Sequence, residues 1–213
     1  NNLFANVEDL NAFTENLMKV LSPEGVIVIE SSYLLNMINN MVFDFIYHEH
    51  LSYLSILPLE IFFKKFGLRL IRIKKVGTKG GSLRYFVARN KSKWKIDKSV
   101  NIYKNIEKKF NVSQNVFIKF NKKINIINKD LINYLLKNKN LDTVGYGASA
   151  TTTTLISHFK LSKMFKYLVD ENSGKINTYS PGFHIPVYST KKLKIDKPKI
   201  IVILAWRYKK QII

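Results

Sequence analysis

The stretch Gly145-Tyr146-Gly147-Ala148-Ser149-Ala150 constrains this chain more than any other. It joins Leu141 to Tyr146, which reads as a strand, to a stretch of helical character, Ser149 to Phe159. Small residues there let a strand turn abruptly into a helix, because no bulky side chain obstructs the bend. Such a strand–turn–helix belongs to α/β folds in which helices cover a sheet. Apolar strands are expected again at Phe165 to Val169 and Ile200 to Ala205, with a turn at Pro181-Gly182 between them. Residues 141–213 therefore read as a small Rossmann-like domain. Two functional readings stay open. Gly-x-Gly-x-x-Ala, with Asp170 closing the next strand, is the setting of a dinucleotide fingerprint and points to an NAD-dependent oxidoreductase. Equally, a tight turn wants glycine whether or not anything binds. The hydroxyls of Thr151 to Thr154 can hold phosphate or cap backbone amides.

The front of the chain has a related pattern. Val7, Leu10, Phe13, Leu17 and Val20 recur every three or four residues, which predicts a helix over 6–20 that ends at Ser22-Pro23-Glu24-Gly25. Val26-Ile27-Val28-Ile29 is a continuous β-branched run and predicts a buried parallel strand. Helices are expected over 33–46 and 57–66, the second stopping at Gly67. Two strands, Leu68 to Lys75 and Ser82 to Ala88, flank Gly77-Thr78-Lys79-Gly80-Gly81 and read as an antiparallel hairpin. Residues 91–140 change to Lys- and Asn-rich sequence, with Val116, Phe120, Ile124, Ile127, Leu131 and Leu135 at helical spacing. They read as a helical linker between an α/β unit at 1–90 and the domain at 141–213.

With hydrophobic residues at 46% and aromatics at 13%, the chain can fill cores, and disorder is a poor reading. No apolar run is long enough to span a bilayer. There is no cysteine, which removes disulfides and thiolate metal sites. No leader is visible, so the cytoplasm is the expected compartment. The net charge of +20 attracts phosphates. Its carriers are mainly Lys, whereas bidentate base and phosphate readout favours Arg, so a solvated surface is preferred over nucleic-acid binding. The chain lacks an initial Met and stops at Lys209-Lys210-Gln211-Ile212-Ile213 in what reads as a helix, so it is expected to be a fragment.

Tyr47-His48-Glu49-His50 is the densest polar cluster. Histidine titrates near neutrality and is the usual general base, and a neighbouring carboxylate can orient an imidazole. Two histidines two residues apart share one side of a strand or loop, which also admits a metal, although further ligands would come from afar. A polar loop at a sheet edge is the plain alternative. Arg84, in Gly80-Gly81-Ser82-Leu83-Arg84, can meet a phosphate or sit exposed on a hairpin. His184, in Pro181-Gly182-Phe183-His184-Ile185-Pro186, is a lone histidine in a rigid loop.

Six segments in order resemble the sugar C-methyltransferases of deoxysugar biosynthesis. They are Asn1 to Ala5, Tyr47 to Tyr53, Gly80 to Arg84, Gly145 to Ala150, Ser180 to Val187 and Ile203 to Trp206. The resemblance implies an α/β fold built from three pieces: the C-terminal half of a Rossmann-like methyltransferase domain at 1–90, a helical linker, and a second small Rossmann-like domain. A cysteine-rich zinc domain and the glycine-rich cofactor loop would lie upstream. It implies methyl transfer from S-adenosylmethionine to a nucleotide-linked 4-keto-deoxysugar, C3 being the expected position, through an enolate. Carried over by motif, His50 is the base, Glu49 its polar partner and Tyr47 a donor near the keto oxygen. Asn6, His48, Arg84, Gly147, Ala148, Ser149 and His184 would hold the nucleotide-sugar, and Asn1 and Asn2 the cofactor. Asn6 stands where the family carries His, and Asn cannot take a proton. In this family the Gly-x-Gly turn serves the fold or the sugar nucleotide rather than NAD.

Overall fold

The computed structural model describes residues 1–78 and 80–213. They divide into two compact units, Asn1–Phe43 with His48–Phe120, and Asp44–Tyr47 with Asn121–Ile213.

In the first unit, helix α1 (Leu10–Val20) starts at Asp9, whose carboxylate accepts from the Ala12 amide at 2.9 Å. Val7 lies outside it, so the helix is shorter than its periodicity predicts. Strand β1 (Val26–Ser32) follows. Helix α2 (Leu34–Asn39) is also cut short: Met41 turns left-handed and the Asn40 amide side chain donates to the Gly80 carbonyl at 2.8 Å. The expected helix over 33–46 therefore resumes only as a single tight turn at Phe43–Phe45. Helix α3 (Ile56–Lys64) then leads to strands β2 (Leu68–Val76) and β3 (Ser82–Arg89), and helix α4 (Lys98–Phe110) closes the unit.

The sheet order is β1-β3-β2, and both pairings are antiparallel. The hairpin is as the turn residues require. The parallel expectation for β1 is overturned: Val26 opposes Ala88 and Ser32 opposes Ser82 along an antiparallel register. Only Ile29 to Ser31 of β1 are buried, and Val28 is 45% exposed. β-Branched composition reports a strand well but its direction poorly. Central β3 carries the core, with Leu83, Tyr85 and Val87 sealed beneath Phe63, Ile56 and Val100. Two long-range caps tie helices to this core. The Arg89 guanidinium donates to the Met18 and Leu21 carbonyls at the end of α1, at 2.7 and 2.8 Å. The buried Glu107 carboxylate accepts from the Ile56 and Leu57 amides at the start of α3, at 2.5 and 2.9 Å.

Asn111, left-handed, separates α4 from the long helix α5 (Gln114–Lys137). The division between the units falls within α5, at Phe120 and Asn121. Along its 24 residues only Ile124 and Leu135 are buried.

The second unit is the α/β body expected from the glycine turn. Its elements are β4 (Thr143–Tyr146), α6 (Ala150–Phe159), β5 (Leu168–Asp170), β6 (Thr178–Tyr179), β7 (Pro186–Ser189), α7 (Lys191–Asp196), β8 (Ile200–Ile203) and α8 (Lys209–Ile212). The strand order is β6-β7-β5-β4-β8, parallel throughout except for the edge strand β6. Val144, Leu168 and Val169 are fully buried at its centre, with Ile156 and Leu161. No helix is long and apolar enough to cross a membrane among the described residues.

Candidate functional site

Tyr47 to His50 occupies a bend and turn between short elements. His48 and Glu49 are exposed, and His50 is half-buried. The chain just beyond His50 is pinned: the Leu51 and Ser52 amides both donate to the Ala5 carbonyl, at 2.9 and 3.0 Å. That bifurcated acceptor brings the backbone after His50 beside Asn6. The Asn6 Oδ1 is buried and has no hydrogen-bond partner. A buried carbonyl left unpaired costs free energy, so a donor arriving with a ligand would be held there. In the first unit the structure thus brings together two of the residues singled out from sequence, His50 and Asn6, through backbone that neither motif revealed.

Arg84 is not a free cation. Its Nε and Nη2 both donate to Glu30 Oε2, at 3.0 and 2.6 Å, across the directly opposed β1–β3 pair. Thr78 donates to the other oxygen at 3.2 Å. The hydrogen bond from Arg84, working against burial, holds the Glu30 carboxyl below its ordinary value. A depressed carboxyl pKa contributes stability above the ordinary value, which is lost as pH falls through the folded value. Arg84→Met should therefore cost about 1 kcal/mol at neutral pH, a modest figure because Arg84 is one-third exposed. The cost should fade in acid unfolding below about pH 4, and an equal cost at pH 3 and pH 7 would dismiss the pairing as its source.

Asn1 and Asn2 lie at the end of β1, where the Asn2 amide donates to the Glu30 carbonyl at 2.8 Å. Asn2 is left-handed, a conformation Asn tolerates. They edge a cavity of about 130 Å³ floored by Phe13, Leu17, Ile27 and Ile29. An adenine-sized apolar group matches this floor, but a complete nucleoside cofactor exceeds it.

In the second unit the glycines of the turn answer to packing. A Cβ on Gly145 would stand 2.5 Å from Leu168 and 2.6 Å from Leu204. Gly147 is at φ +110, and a Cβ there would meet Ala205 at 2.8 Å. The Ala148 amide donates to Asp170 Oδ2 at 2.8 Å, and the same carboxylate accepts from the Asn172 amide and from Lys175. Amide and carboxylate occupy each other, where a dinucleotide site would leave one for phosphate and the other for ribose. Ser149 caps α6 through the Thr152 amide at 3.3 Å and shares its hydroxyl with Thr151 at 2.8 Å. His184 is exposed at a loop tip, left-handed at φ 51, with its amide bonded to the Ser180 carbonyl.

The most buried charges of this unit went unmarked in the sequence reading. Asp44, fully buried, accepts from Arg207 Nη1 at 2.6 Å and from the Trp206 indole N–H at 3.2 Å. Arg207 lies 4.3 Å over the Phe45 ring and donates to the Thr151 hydroxyl at 3.1 Å. Burial pushes the Asp44 carboxyl up, and Arg207 opposes it. A lone carboxylate inside the apolar run Val42-Phe43-Asp44-Phe45-Ile46 was the available signal, since such a group needs a buried partner. No group of three or more His, Asp or Glu side chains is placed to hold a metal ion among the described residues.

A parallel sheet with a glycine-bounded strand-to-helix turn defines the second unit as Rossmann-like α/β. The model of the C-methyltransferase C-terminal domain family matches residues 77–213, and the chain belongs to that family. Over 214 aligned residues it is 28% identical to C-methyltransferase NovU of Streptomyces niveus, an alignment covering 99% of this chain and 51% of that relative. The chain thus spans about half the length of this curated relative.

Proposed function

We propose that this chain is the substrate-handling part of an S-adenosylmethionine-dependent C-methyltransferase acting on a nucleotide-linked 4-keto-deoxysugar, with C3 as the methylated carbon. The observation that carries this reading is the half-buried His50, whose two following residues are pinned to the carbonyl of Ala5, the neighbour of Asn6 with its unpaired Oδ1, inside a chain of C-methyltransferase family. A ketone acidifies the C–H beside it, so a neutral imidazole can remove that proton. His50 takes the proton, and the electron pair moves onto the keto oxygen as an enolate. Tyr47 donates to that oxygen as negative charge develops. Glu49 is the polar partner of His50 in this reading. Asn6 Oδ1 accepts from a sugar hydroxyl, which orients the ring and supplies the donor this buried atom lacks. Bound S-adenosylmethionine supplies the electrophilic methyl group. The small apolar cavity beside Asn1 and Asn2 accommodates only part of such a cofactor, and no step performed by these residues depends on it.

Gly147, Ala148, Ser149 and His184 contribute to holding the nucleotide-sugar in this reading, chiefly by shaping the turn and loop. Arg84 contributes by ordering β1 and β3 through Glu30. The test is direct. The intact protein, given S-adenosylmethionine and a nucleotide-linked 4-keto-6-deoxysugar, should return the sugar with one added carbon-bound methyl, read by mass spectrometry and proton NMR. Nucleotide-sugar that binds and is recovered unmethylated would sink the catalytic reading and leave a binding protein.

A further inference from the structure

The segment Asp44–Tyr47 groups with the second unit, although the residues on either side of it, Phe43 and His48, group with the first. What fastens it is specific. Asp44 takes both the Arg207 guanidinium and the Trp206 indole, and the Phe45 ring lies under the guanidinium. The other arm of Arg207 reaches Thr151, whose hydroxyl is joined to Ser149 at the glycine turn. One side chain therefore connects the strap to the first turn of α6. The fork of an arginine can do this and the single ammonium of a lysine cannot, because two acceptors and a ring face are engaged at once. Tyr47 ends the strap, its ring tilted 45° to that of Phe45 with centroids 6.2 Å apart.

We propose that Arg207 is a positioning residue for Tyr47: by clamping Asp44 and Phe45 it fixes where the end of the strap, and with it the Tyr47 phenol, stands. This rests on the reading above that Tyr47 donates to the developing enolate oxygen. It also gives the glycine turn a task, which is to present Thr151, held by Ser149, to Arg207. Small displacements of reacting groups cost rate steeply, so a loosened strap should be felt in turnover before binding.

Two readouts on the intact protein test this in Arg207→Met, Arg207→Lys and Trp206→Phe. The first is limited chymotrypsin cleavage after Phe45 and Tyr47, located by mass. The second is the split of methyl transfer into kcat and KM. Arg207→Met should be nicked on the order of tenfold faster, with kcat lower by on the order of tenfold or more and the KM for methyl donor within about twofold. Arg207→Lys should recover part of both, and Trp206→Phe should show a smaller loss. If Arg207→Met fails to fold, the other two variants carry the same comparison. Cleavage within about twofold of the parent protein overturns the clamp. Faster cleavage with unchanged kcat overturns its bearing on catalysis. Failure of the Tyr47 reading looks different: Tyr47→Phe then keeps full methyl transfer while Arg207→Met still exposes the strap, which supports Arg207 as anchor and removes Tyr47 as donor.

Discussion

Replacing His50 with Asn should slow exchange of solvent deuterium into the carbon beside the sugar's ketone by about 10²- to 10⁴-fold, the range a positioned general base supplies. Exchange is the sharper assay because it isolates proton removal from methyl transfer. Asn retains a hydrogen-bond donor of comparable reach and accepts no proton, so a loss reports the base and not a missing contact. Methyl transfer should fall in parallel, and binding of nucleotide-sugar should stay within a few-fold because His50 is assigned to the proton rather than to the ground state. Glu49→Gln should be milder, within about tenfold, since Glu49 is exposed and its field is weakened by water. Undiminished exchange in His50→Asn, with binding intact, would move the base to another residue. His48 and Tyr47 would then be next to test.

How much of this was legible in the sequence differs between the two units. In the second, the glycine turn announced a parallel α/β body because Gly145 and Gly147 are dictated by the close approach of Leu168, Leu204 and Ala205. Short elements such as β6 and α7 have too few residues to show a period and went unread. In the first, the hairpin followed from its turn residues, whereas the direction of β1 did not. A β-branched run says that a strand is buried on part of its surface, and strand direction depends on which partner arrives. The helix expected over 33–46 failed for a non-local reason, since Asn40 is drawn away to the Gly80 carbonyl. The site behaves in the same way. Tyr47 to His50 and Asn6 were visible as residue types able to do chemistry. That the Ala5 carbonyl pins the chain after His50 was not, because backbone hydrogen bonds carry no residue signature. The dinucleotide reading of the glycine turn loses its footing for a related reason: the Ala148 amide and Asp170 are spent on each other.

Removal of Arg207 should produce the largest loss of stability, and its pH dependence identifies the cause. Breaking a buried ion pair by deleting one partner typically costs about 3–5 kcal/mol, because the surviving charge stays desolvated. In Arg207→Met that charge is Asp44, whose side chain is wholly buried and whose Oδ1 already lacks a partner. Burial raises the Asp44 carboxyl even with Arg207 present, and Arg207 is the strongest influence holding it down. Without Arg207 the folded value climbs further. A group with a raised folded value binds its proton on folding, so the stability it contributes is present below the ordinary carboxylate range and lost as pH rises through the folded value. The deficit of Arg207→Met relative to the parent should therefore be greatest near pH 7 and shrink steadily towards pH 4 in urea unfolding. Adding Asp44→Asn should restore much of the neutral-pH loss, as the amide removes the stranded charge at nearly the same volume, and should restore little at pH 4, where the carboxyl is already protonated. A deficit that is constant with pH, and that Asp44→Asn does not relieve, would assign the cost of losing Arg207 to its packing on Phe45 instead of to the ion pair.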